Sequence, residues 1–214
     1  MLRVLALLTT FAFALGGLRT AASAQAQDDW ELRRRLDEMA TYTRDRPGSH
    51  IKEVKLVMTV DASVDDINAV LNDATRQPEW VFRCVEGRDL GGDATDEGWH
   101  YYSRIAMPWP MDDRDLIARV EARPPAADSG VYVSESFAAP DRIDPVAECV
   151  RITDFDVRTE YRPLGDGERT EVTYVLHSEP GGKVPAWLVN LFVDKGPVET
   201  MTRLKALVEA RAAQ

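Results

Sequence analysis

Ala106-Met107-Pro108-Trp109-Pro110-Met111-Asp112-Asp113-Arg114-Asp115 is the stretch on which the reading of this chain turns. Each proline fixes its own φ near about −65° and pushes the residue before it toward extended backbone, so Trp109 is held in a stiff turn. Before the turn, residues 98–107 alternate, with Trp99, Tyr101, Ser103, Ile105 and Met107 on one face and His100, Tyr102, Arg104 and Ala106 on the other. After it, residues 114–123 alternate again, with Leu116, Ala118, Val120 and Ala122 set against Ile117, Arg119, Glu121 and Arg123. A period of two marks strands with one face toward an apolar interior, and a short connection makes such strands antiparallel neighbours. Two readings of that interior face stand: the wall of a cavity, for which the small Ala118 leaves room, and an ordinary core packed on a helix.

Working outward, further strands are expected over 82–90, 130–138, 148–162 and 169–179, separated by Gly-, Asp- and Pro-rich turns such as Gly165-Asp166-Gly167. Toward the N-terminus, Trp30, Leu32, Leu36 and Met39 have helical spacing, and Val54, Leu56, Met58 and Val60 then alternate as a strand. Asp61-Ala62-Ser63 offers a helix cap, with Asp65 and Asp66 in the first turn and Ile67, Val70 and Leu71 on the apolar side of a helix ending before Pro78. The final element, from Pro185 to about Ala212, repeats Leu188, Leu191, Phe192, Met201, Leu204 and Leu207, with Gly196-Pro197 as the expected kink. The pattern is an α+β domain over residues 30–212, an antiparallel meander with helices at its ends.

Three segments carry a family likeness: the Pro108-Trp109-Pro110 turn with Arg114-Asp115 after it, Pro180-Gly181-Gly182-Lys183-Val184-Pro185-Ala186-Trp187 before the last helix, and Pro78-Glu79-Trp80. In this order, around these elements, they resemble the START (StAR-related lipid-transfer) domain in its exported bacterial form, within the Bet v 1-like superfamily. The resemblance covers about residues 29 to 210. It implies a helix-grip fold, in which a strongly curved antiparallel sheet wraps a long C-terminal helix with a tunnel between them. It also implies that one apolar molecule, a lipid such as a sterol or a phospholipid, is held there without chemistry. By the same resemblance Trp109, with Met107 and Met111, belongs to the tunnel mouth or touches a bilayer; plain packing on the last helix is the competing reading. Gly181-Gly182 reads as the hinge of a helical lid, or as a simple stop-and-start signal. Animal sterol carriers of the family use a buried acid and arginine where this chain has Ser103 and Val120, which points away from that mode of sterol binding.

The expected ligand-contacting residues are Tyr101, Ser103, Ile105 and Met107 on one strand and Leu116, Ala118 and Val120 on the next. Trp109 in the turn, Glu135, Tyr174, and Trp187, Leu188, Leu191 and Phe192 of the last helical region complete the set. Ser103, Tyr101 and Glu135 would supply polar selectivity. The alternation leaves open which face of 130–138 looks inward: one carries Glu135 among Val131, Val133 and Phe137, the other Tyr132, Ser134 and Ser136.

The three histidines, His50, His100 and His177, have no metalloprotease spacing, and no nucleophile elbow, phosphate loop or dinucleotide fingerprint occurs. Neither an enzyme nor a cofactor is expected; the enzyme alternative is a polyketide cyclase or aromatase of the same superfamily, and a lipid-responsive sensor is a third reading. Arg3, the apolar run from Val4 to Leu15 and Ala22-Ser23-Ala24 read as a secretory signal peptide over residues 1–24, cleaved near Ala24, with 25–29 as a loose tail. That places the mature chain in the periplasm or outside the cell. Losing Arg3 and Arg19 takes two positive charges from a chain at −10, leaving −12, so nucleic acid is not an expected partner. A lipid, transient membrane contact and a monomeric state are expected. Cys84 and Cys149 could pair in an oxidising compartment only if their α-carbons lie within about 7 Å.

Overall fold

The computed structural model describes residues 29–92, 98–123, 125 and 130–214; the expected leader and residues 25–28 of the tail lie outside them. Ten strands form one sheet: β1 (Glu31–Leu36), β2 (Met39–Arg44), β3 (Glu53–Val60), β4 (Cys84–Gly91), β5 (Trp99–Ile105), β6 (Asp113–Arg123), β7 (Tyr132–Ala138), β8 (Cys149–Arg151), β9 (Asp154–Leu164) and β10 (Arg169–Glu179). The order is β1-β2-β3-β10-β9-β7-β6-β5-β4, antiparallel throughout, so the last strand closes beside β3. Helices α1 (Val64–Leu71), α2 (Gln77–Trp80), α3 (Ala186–Leu191) and α4 (Lys195–Ala212) complete the chain. This is the curved antiparallel sheet with a long C-terminal helix that the helix-grip fold requires.

Local chemistry explains most element boundaries. Ser63 caps α1 as expected: its hydroxyl accepts from the Asp66 amide while the Asp66 carboxylate accepts from the Ser63 amide. Pro78 sits in the first turn of α2, where its missing N–H costs nothing, instead of lying beyond a single longer helix. Gly87 of β4 is required by close approach, because a β-carbon there would stand 2.0 Å from the Ala74 carbonyl oxygen.

Three expectations are corrected. The helix expected from Trp30 to Met39 is a β-hairpin, with Asp37 at φ 27° in the turn and β2 paired along β3 from Met39 to Arg44. Pairing buries Met39, Ala40 and Thr41, whereas a helix would bury only Leu32 and Leu36, which stay exposed on the arginine-rich edge strand. The strand expected over 148–162 is two strands, and β8 runs parallel to β6 at Asp113–Asp115, a section that β7 does not reach. The kink of the last helical region lies at Phe192–Asp194 rather than at Gly196-Pro197. Proline is tolerated in a first helical turn, so the chain breaks before it and α4 starts afresh. Both cysteines are free.

The β8–β6 junction is held by charge. Arg151 Nη2 and Nε donate to the Asp115 carboxylate at 2.7 and 3.0 Å, and the Asp115 side chain is 1% exposed. Arg151→Met would leave that carboxylate buried and unpaired, a loss of about 3–5 kcal/mol. We expect urea unfolding to show this loss; a loss under about 1 kcal/mol would mean that the pair does not hold the junction.

Candidate ligand-binding cavity

Alternation on six strands, β3 with Met58 and Val60 among them, points a continuous set of side chains at the inner side of α1, α2 and α4, and the space between is a cavity of 410 Å3. Strand β5 contributes Trp99, Tyr101, Ser103 and Ile105; β6 gives Leu116, Val120 and Ala122; β7 gives Ser134 and Ser136. From β9 come Phe155, Val157, Thr159 and Tyr161, and from β10 Val172, Tyr174, Leu176 and Ser178. Across the space stand Ile67 and Leu71 of α1, Gln77 and Trp80 of α2, and Met201, Leu204 and Val208 of α4. Among the described lining residues there is no His, Cys, Asp or Glu, and Lys205 carries the one formal charge. Lys205 is engaged by Glu38 at 3.0 Å, by Glu209 and by the Thr59 carbonyl at 2.8 Å.

The polar groups of the wall are neutral. Burial pushes the Tyr161 phenol up to about 12 and those of Tyr101 and Tyr174 higher still, so all three stay protonated and can donate. Tyr174 also feels the other two rings, which places the three hydroxyls in one neighbourhood. The Ser103 hydroxyl donates to the Gln77 side-chain oxygen, joining β5 to α2 under the cavity wall. Trp80 borders the cavity, and its Nε1 is buried without a hydrogen-bond partner.

Six of the residues expected from sequence line this space: Tyr101, Ser103, Ile105, Leu116, Val120 and Tyr174. The others stand elsewhere. Ala118 shares the inner face but is 0% exposed, closed in a small cluster with Leu116 and Ile152, so it is floor and not surface. Met107 lies past the end of β5, where its amide donates to Asp113 at 3.0 Å, and Trp109 is 92% exposed. Glu135 points outward to Arg158 and Arg123, each at 2.7 Å, because the alternation of β7 turns Ser134 and Ser136 inward. Trp187, Leu188, Leu191 and Phe192 are exposed on α3, which the break at Phe192–Asp194 sets off from α4. Tyr161 and Gln77 were not anticipated. The period-two run Phe155, Val157, Thr159, Tyr161 carried the signal for the first; Gln77 had none, since only the fold brings it to Ser103.

The expected hinge is a clasp. Arg114 donates to the carbonyls of Asp112, Pro180 and Gly181, at 2.6, 2.8 and 3.2 Å respectively, and a β-carbon on Gly182 would press on the same guanidinium at 3.2 Å. Farther on, Asn190 of α3 accepts from the Lys52 amide and donates to the His50 carbonyl.

A chain whose curled sheet and terminal helix border a hydroxyl-bearing cavity with one, already paired, lysine belongs to the class of helix-grip proteins. The sequence profile of the START domain matches residues 20–214, and the chain belongs to that family. It is 32% identical, over 95% of its own length and 97% of the relative's, to an uncharacterised protein of Pseudomonas aeruginosa. Among solved structures it resembles a STAR-related lipid transfer protein of Xanthomonas axonopodis, with a TM-score of 0.75 and 28% identity over 85% of this chain and 99% of that one. Human STARD10 has the same fold, with a TM-score of 0.73 and 19% identity over 86% of this chain and 74% of the other.

Val120→Trp should fill the cavity and abolish uptake of a fluorescent fatty-acyl probe while cooperative unfolding persists. Ala118→Trp should instead overpack the sealed floor and lower the melting temperature sharply, since overpacking costs about 1–3 kcal/mol or more. Equal behaviour of the two variants in paired binding and melting experiments would contradict this division of the β6 face.

Proposed function

We propose that the protein binds one hydrophobic molecule, a lipid, in this cavity and carries it as a monomer through the aqueous space outside the cytoplasmic membrane. The single observation behind the reading is the unfilled interior. Protein cores close to near-crystalline density. The sheet and helices α1, α2 and α4 nevertheless leave a cavity of 410 Å3 whose lining is mainly apolar. A guest that buries that lining gains about 25 cal/mol for each Å2 of apolar surface removed from water.

The wall also selects. With no arginine and with Lys205 already paired, it offers little to a phosphate or a free carboxylate deep inside. It does offer the phenols of Tyr101, Tyr161 and Tyr174 and the hydroxyls of Ser134 and Ser136. These suit a guest whose buried polar end is neutral: a hydroxyl, ester or carbonyl. They do not suit cyclisation chemistry as well, because phenols pushed to about 12 and above are poor general bases near neutrality.

Delivery needs membrane contact. Trp109 and the α3 side chains Trp187, Leu191 and Phe192 are apolar groups held in solvent, the amphipathic kind that settles at a bilayer interface. Residues 1–24 serve as the export signal in this reading.

The test is mass spectrometry on the full chain expressed in its native host: of the exported protein's N-terminus, and of an organic extract. The expected result is a chain beginning at Gln25 with one apolar compound, bearing a neutral polar group, in near-equimolar amount. A stoichiometric phosphate-bearing lipid would contradict the selectivity argument, and a clean extract from correctly folded protein would contradict the carrier reading.

A further inference from the structure

On the convex face, opposite the cavity, the β9–β10 ladder ends in a cluster that lipid binding does not use. Glu179 is paired in register with Asp154, and His177 with Asp156. His177 Nε2 stands 3.9 Å from Asp154 Oδ1 and 3.9 Å from Glu179 Oε1, and the three ligand atoms all lie within 4.8 Å of one another. The imidazole is 0% exposed and neither ring nitrogen has a hydrogen-bond partner, whereas both carboxylates reach solvent. At 3.9 Å the carboxylates are too far to accept a hydrogen bond from the ring. A buried polar ring aimed between two half-exposed acids without touching either is a costly arrangement unless something sits between them.

We propose that Asp154, His177 and Glu179 form a surface site for a divalent transition-metal ion such as Zn2+. One imidazole nitrogen and two carboxylate oxygens, with a fourth position open to water, is a donor set that zinc accepts. Tetrahedral zinc with bonds of about 2.0–2.2 Å holds its ligand atoms about 3.4 Å apart, so each carboxylate closes on the ring by about 0.5 Å. Side-chain rotation of the exposed Asp154 and Glu179 supplies that movement, and the buried ring stays still. Arg46 does not fill the position: it is held by Asp156 at 2.6 Å and Glu53 at 2.9 Å. Ser49 donates at 2.6 Å to Glu179 Oε1, the same oxygen that faces the ring, and one such bond leaves that oxygen a further lone pair for the ion. His177 Nδ1 lacks the carbonyl or carboxylate that usually orients a metal-bound imidazole, so packing alone aims the ring and the site is weaker than a structural zinc centre.

The ion would stand between the start of β9 and the end of β10, just before Pro180-Gly181-Gly182 leads the chain into α3. It would also draw on Glu179, which holds Ser49 of the β2–β3 connection that anchors α3 through His50 and Lys52.

The test is calorimetric titration of the full chain with Zn2+ near neutral pH, beside 15N spectra of the histidine rings. We expect one Zn2+ per chain, a displaced His177 Nε2 resonance, and at least tenfold weaker binding in both Asp154→Asn and Glu179→Gln. These positions are half-exposed, so both variants should fold, as circular dichroism would record. The proposal is overturned by absence of saturable binding, by binding that neither substitution weakens, or by a His177 ring that responds to pH and not to metal.

Discussion

Helix α4 is at once a wall of the cavity and part of the main core, and the fold depends on fixing it there, by packing along its length and by polar contacts at its ends. At its start the buried Asp194 carboxylate faces Arg34 at 3.4 Å and Arg33 at 3.9 Å, both from the edge strand β1. Toward its end Lys205 reaches the Thr59 carbonyl and Glu38, while Glu209 accepts from the Asp61 amide at 2.9 Å. In between, Val198, Met201, Leu204 and Val208 are buried in the main core with Ile67, Trp80, Tyr161 and Val172, and Met201, Leu204 and Val208 also border the cavity. Packing along the helix and attraction at its margins together hold it beside the cavity.

The same constraint explains why some of the fold was legible in the sequence and some was not. A wall facing a cavity needs alternation on every strand that forms it, so residues 98–107, 114–123 and 169–179 showed their inner faces, and the family resemblance turned Tyr101, Ser103, Val120 and Tyr174 on those faces into cavity residues. Elements that act as supports need no such pattern. The β1–β2 hairpin is chosen by pairing with β3 and by the reach of its arginines to Asp194, and its helical spacing at Trp30, Leu32, Leu36 and Met39 is incidental. Likewise β8 separates from β9 because Asp115 and Arg151 bind each other across the sheet, a contact that no local window contains. Glu135 was a fair polar candidate until its face was known; the outward arginines at 123 and 158 then account for it entirely.

The proposed function would bring these features together: a net charge of −10 would disfavour anionic surfaces, and the exposed apolar side chains Trp109, Trp187, Leu191 and Phe192 would supply local contact with a bilayer. The Arg114 clasp and the Asn190 contacts fix residues 180–190 with a small number of hydrogen bonds worth about 1 kcal/mol apiece.

The most direct measurement is a crystal structure of the full chain purified from its native host. The account requires continuous electron density for one elongated molecule beneath Met201 and Leu204, with its polar end against Tyr101, Tyr161 or Tyr174. An interior holding only ordered water, or closed by inward movement of α4 until no space is left, would contradict it.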